Sequence, residues 1–212
     1  MSPASPFLRL PVELRYAIYD HLCRSEPRSY PYEPSSPIAA IDLTGPPISF
    51  LLTNRALLEE ITTYYFSRCT FRFVAQSFSN ANNIGKNMPE GSLQILHKMR
   101  RIELLLLPGT MKATPDSPGV SMTTRGVSNL WLRDQTSLLR DEAKELKTVV
   151  VSMRRASWSH EWSMREETEA LLRPLEDLRG RMEFRVGEIM GPSAVEKEML
   201  EELSLVLERL NS

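Results

Sequence analysis

Cysteine is nearly absent from this chain: its 212 residues hold only two, Cys23 and Cys69. Neither belongs to a Cys-x-x-Cys pair or lies at metal-ligand spacing from a histidine. The sequence therefore argues against a disulfide scaffold and a zinc site, and a reducing compartment is the expected setting. An excess of charge is missing too. Lysine and arginine number 26 against 27 acidic residues, so no global field draws the chain to nucleic acid or to an anionic membrane. Long apolar runs are lacking. The longest, Ile102 to Pro108, is interrupted by Glu103 and is too short to span a bilayer. The opening residues MSPASPF contain no basic region followed by an apolar one, so no signal peptide is expected. An intracellular protein, cytoplasmic or nuclear, is the resulting expectation.

Glycine is scarce at nine residues, and none forms a phosphate-cradling loop. Neither Gly-x-Ser-x-Gly nor His-Glu-x-x-His occurs. His21 and Cys23 are two residues apart and cannot share a helix face as metal ligands would. His97 has no carboxylate or cysteine near it in sequence. No catalytic residue, metal or cofactor is expected. An enzymatic reading would need a deep pocket that gathers His160 and Glu161 with a hydroxyl or thiol nucleophile.

What is present is periodicity. A chain this long buries roughly 70% of its unfolded surface and needs no staple to hold a core. Pro11 stands where a helix tolerates a missing N–H, which predicts a helix from residue 10 or 11. Two apolar stripes follow. Leu10, Leu14, Ala17, Ile18 and Leu22 form one; Val12, Tyr16, Tyr19 and Cys23 form the other. They are centred about 160° apart on the helix. One stripe suits the protein's own core, and the other suits either a partner or a second buried contact.

Residues 25–47, rich in proline and serine, read as a long loop. A helical pattern returns from Ile48 to Phe66, and Cys69, Phe71 and Phe73 then alternate with Arg68, Thr70 and Arg72 as in a half-buried strand. Three segments next pass from helical to strand spacing: 96–106, 143–153 and 175–186. Each predicts a helix leading into a strand. Stacked, they make a small, mostly parallel sheet with helices on one side and an α/β (borderline α+β) fold. A last helix is expected behind a Ser193–Glu196 capping box, with Val195, Met199, Leu203, Val206 and Leu210 facing inward and Leu200 and Leu207 widening the stripe. It would cap an end or flank of the sheet.

The opening helix resembles the start of an F-box: Leu10, Pro11, Glu13, Leu14, then Ile18 and Leu22 on the same face. More closely, the chain is similar to the large ascomycete group of F-box-like proteins. The matching residues are Leu10, Pro11, Glu13, Leu14, Arg15, Ile18 and Tyr19, then Arg55 with Glu59 or Glu60, then Tyr65, Phe66, Phe71 and Phe73. The resemblance covers 7–24 and 48–73, and is loose over the leucine-rich-repeat-like remainder. It implies a helical module at 7–66, with 25–47 as an insertion, fused to a body at 67–212. It also implies a non-enzymatic adaptor that holds a protein substrate and docks a Skp-type subunit of a cullin-based ubiquitin ligase. Leu10, Pro11, Leu14, Ile18 and Leu22 would be the docking residues. The chain departs from the pattern in the length of its insertion and at Asn54, where a cysteine is usual.

Three lesser features remain. Trp158, His160 and Trp162 suit either a peptide-recognition loop or, more in keeping with aromatic burial, a lid over the core. The basic spots HKMRR (97–101) and SMRRA (152–156) could serve an acidic peptide or RNA, although solvated strand ends account for them better. Ser36, Thr114 and Ser117 each precede a proline in a loop and could accept phosphate.

Overall fold

A computed structural model describes residues 6–23, 28–29, 37–74, 88, 90–107, 124–155 and 163–212. A short 3-10 turn, Pro6–Arg9, precedes helix α1, Val12–Leu22. Pro11 occupies the cap of α1, and its carbonyl accepts from the Leu14 and Arg15 amides at 3.1 and 3.2 Å. The single helix expected over 48–66 is instead two: α2, Ile48–Leu51, and α3, Arg55–Arg68. Asn54 causes the division. Its backbone is extended, and its side chain accepts from the Ala56 amide at 2.8 Å, capping a new helix.

The segment 25–47 is not wholly a loop. It supplies β1, Arg28–Ser29, and β2, Ile38–Ile41. Strand β2 runs antiparallel to β3, Thr70–Val74, with Ile38 opposite Phe73 and Ile41 opposite Phe71. A bulge between Ile38 and Ala40 brings two isoleucines three residues apart onto one face, which hides the strand from a period-two reading.

The helix–strand units follow as expected. Helix α4, Glu90–Lys98, leads into β4, Arg101–Leu106; α5, Thr124–Glu142, leads into β5, Thr148–Arg154. Helix α6, Met164–Leu172, continues as a 3-10 turn to Leu178 and leads into β6, Glu183–Met190. The sheet runs β1-β2-β3-β4-β5-β6, and β3 to β6 are parallel. Right-handed crossovers that each advance one strand put their helices on the same face. The fold is α/β. On the covered face Phe71, Ile102, Val149 and Phe184 stand in one register row, all buried in the main core.

Helix α7, Ser193–Asn211, packs on α6 and β6. Its capping box does not form. The helix begins at Ser193 itself, and Pro192 holds the cap, its carbonyl accepting from Val195 and Glu196 at 2.8 and 3.1 Å. Starting one residue early leaves Ser193 inside the first turn rather than before it. Met199, Leu203, Val206, Leu207 and Leu210 are buried and Val195 partly so, whereas Leu200 is exposed. Asn211 then donates to the Phe184 carbonyl and accepts from its amide at 2.9 and 2.8 Å, tying the helix end to the outer strand.

A second, smaller core sits among the first helices: Tyr19, Leu57, Ile61 and Tyr64, with Phe7, Leu8, Phe50 and Leu51 against it. Tyr65 and Phe66 of α3 pack instead on the main core. The helix buried on two sides is therefore α3. Helix α1 lies outside it.

Candidate docking face

Three side chains fix α1 on α3. The Arg15 guanidinium donates to both oxygens of Glu60, at 2.8 and 2.7 Å, and the Tyr19 hydroxyl donates to Glu60 Oε1 at 2.9 Å. Arg15 Nη1 also donates to the carbonyls of Leu10 and Leu8, so one guanidinium holds both the Leu-Pro turn and the next helix. The bond from Arg15 keeps the Glu60 carboxyl below the usual carboxylate range, against an opposing effect of burial. Burial, then the bond to Glu60, pushes the Tyr19 hydroxyl up. Of the two glutamates that the resemblance left open, Glu60 makes this contact; Glu59 pairs with Arg55 on the exposed side.

Aromatic rings complete the seat. Tyr16 stacks on Tyr64 with centroids 4.4 Å apart, and Phe7 meets Phe50 edge-on at 5.8 Å. Tyr64 also donates to Asp20 at 2.7 Å, and burial together with that bond raises its pKa to about 12.

The two stripes of α1 thus have different fates. On one, Tyr19 is fully buried and Cys23 half-buried, while Val12 and Tyr16 are each 37% exposed, Tyr16 with one ring face on Tyr64. On the other stripe Leu14 is 53% exposed and Ile18 37%, with Pro11 exposed and Leu10 and Leu22 half-buried. Among the other apolar side chains of the module, Ile48 at 73% and Leu52 at 76% reach furthest into solvent. Leu52 follows a helical apolar pattern that predicts burial. Its placement in the turn between α2 and α3, visible only once Asn54 is read as a cap, puts it outside.

The other candidates separate. Trp158, His160 and Trp162 lie outside the described residues. The residues flanking them are anchored: Arg155 is buried and paired with Glu167 at 2.9 Å, and Ser163 caps α6 by accepting from the Glu166 amide. Arg155 is therefore no solvated strand end. Arg100 pairs with Glu145, whereas Arg101 and Arg154 are exposed. Ser36, Thr114 and Ser117 also fall outside the described residues. His97 meets Glu142, 45 residues on, at 2.9 Å.

A cleft of about 230 Å³ opens between α1 and α3, lined by Asp20, Cys23, Leu43, Tyr64, Tyr65 and Arg68. Burial pushes up the thiols of both Cys23 and Cys69, the opposite of an activated nucleophile. Asp20 is engaged by Tyr64 and by Arg68 at 3.3 Å. Among the described residues no group of three or more histidines, cysteines or acids is placed to hold a metal, and no helix is long and apolar enough to cross a membrane. No protein-family model, curated protein or solved structure matches the chain.

Proposed function

We propose that this chain is a non-enzymatic intracellular adaptor whose first helix docks a Skp-type subunit of a cullin-based ubiquitin ligase while the α/β body holds a protein substrate. One observation carries the reading: Leu14 and Ile18 are exposed on the same helix whose Tyr19 is wholly buried. The Arg15–Glu60 contact supports it by holding the Leu-Pro turn and α1 in a fixed relation to α3 before any partner arrives, which lowers the ordering cost of docking. Pro11, Leu14 and Ile18 supply the apolar anchors, with Leu10 and Leu22 at the margin.

A second reading is an interaction protein that keeps the F-box-like fold without ligase docking. The segment between α1 and α2 favours it, because it adds strands β1 and β2 to the sheet where an F-box has a short connection. Co-expression with a fungal Skp-type protein and size-exclusion chromatography separates the two. A one-to-one complex that Leu14→Asp with Ile18→Asp abolishes, while the variant stays folded, supports the adaptor. No complex at micromolar concentration supports the second reading.

A further inference from the structure

The face of β3–β6 turned away from the helices is polar, and a parallel sheet ordinarily has both faces covered. A hydrogen-bonded ladder crosses it. Arg72 donates to both oxygens of Glu103 at 2.7 and 3.2 Å, Ser152 donates to Glu103 Oε1 at 2.6 Å, and the Glu188 amide donates to Ser152 Oγ at 2.9 Å. Four strands are thereby joined, and the Glu103 carboxylate is fully occupied. Arg185 is likewise neutralised by Glu183 on its own strand, with both bonds at 2.9 Å.

Two arginines of this face have no carboxylate partner among the described residues. Arg101 begins β4; among the described residues its side chain makes no hydrogen bond or ion pair, although its charge helps to hold the Glu183 carboxyl low, behind the bond that Glu183 accepts from Arg185. Arg154 ends β5, and its guanidinium donates only to the Met190 sulfur, a weak acceptor. Both side chains are exposed. Arg101 is in register with Thr148, six residues before Arg154 on the adjoining strand, so the two stand about 20 Å apart along the strand direction. Between them Leu105 and Val150 are half-exposed, an apolar floor on an otherwise polar face.

We propose that this face binds an extended acidic protein segment, with a carboxylate on Arg101, a second on Arg154 about six residues along, and an apolar side chain between them on Leu105 and Val150. Charge complementarity selects the occupant. Bidentate guanidinium–carboxylate pairing gives orientation, and the Glu103 carboxylate beneath is already held by Arg72 and Ser152. Among the described residues the face offers no aromatic platform for bases, which disfavours a nucleic acid. The proposal deepens the adaptor reading and rests on it, since it names the chemical class of the client an adaptor must hold.

The test is fluorescence anisotropy with the full chain and a fluorescein-labelled peptide, Glu-Ser-Thr-Leu-Thr-Ser-Glu, against the same peptide with lysine for glutamate. Micromolar binding of the acidic peptide alone is expected, weakened about tenfold by Arg101→Glu or Arg154→Glu and by raised salt, and unchanged by Lys197→Glu on α7. Each arginine variant is checked for an unchanged melting temperature. Equal binding of both peptides, no binding of the acidic one, insensitivity to the arginine changes, or tighter binding of a single-stranded RNA at this face overturns the proposal. Skp-type association, read separately on the same variants, is expected to persist. Loss of peptide binding with that complex intact refutes the acidic-segment proposal alone; failure of the complex with peptide binding intact refutes the ligase reading alone.

Discussion

Arg15 and Glu60 stand 45 residues apart and meet side-on, with Nη2 2.7 Å from Oε2 and Nε 2.8 Å from Oε1. Tyr19, one turn after Arg15, shares the same carboxylate. These three groups join the opening helix to the helix that bridges both cores.

Removing that carboxylate is expected to loosen α1. Glu60→Ala leaves the buried Tyr19 hydroxyl without its acceptor, a loss of about 1–3 kcal/mol in urea unfolding. The pH dependence follows from the lowered pKa of Glu60. Its stabilising contribution is complete above the unfolded carboxylate's pKa, about 4.3, and is lost as pH falls through the lower folded value. The gap in melting temperature between the natural chain and Glu60→Gln should narrow as pH is taken from 7 to 3.

The two stripes of α1 are expected to respond oppositely to substitution. Tyr19→Ala empties a fully buried site and should cost about 3–5 kcal/mol. Leu14→Ala, at an exposed site, should stay within about 0.5 kcal/mol in the isolated protein. Equal losses in thermal unfolding would contradict the assignment of an inner and an outer stripe.

Asn54→Ala removes the cap of α3. A loss of about 1 kcal/mol is expected in chemical denaturation, with Asn54→Ser recovering most of it because a serine hydroxyl accepts from the same amide.

Gly187 lies where Ser152 crosses toward β6. A methyl there would overlap Ser152 Oγ and press on Val150, so Gly187→Ala should cost about 1–3 kcal/mol by overpacking. Ser152→Gly itself removes the bonds to Glu103 and the Glu188 amide, but in that background the added cost of Gly187→Ala should shrink, which would identify this contact as the cause.

Much of the fold is legible in the residues. Each helix–strand unit changes period from 3.6 to 2 within a dozen positions, a local property that any neighbouring structure must respect, and β4, β5 and β6 fall where that change occurs. Strand β2 is illegible because a bulge breaks its alternation. The capping box misleads because Pro192, lacking an amide hydrogen, can still lend its carbonyl and start the helix one residue early.

The sequence alone determined the helix–strand units, their parallel arrangement and the existence of two apolar stripes on α1, because periodicity is written residue by residue. Only the tertiary structure decided which stripe turns inward. Helix α3 covers α1, with Phe50 and Leu51 of α2 beside it, and carries Ile61, Tyr64 and the carboxylate that Arg15 and Tyr19 require on a single side. The same holds for Arg72, Glu103 and Ser152, brought together from separations of 31 and 49 residues by strand register alone. Local patterning specifies the faces; which faces meet is decided by the pairing of distant strands and helices.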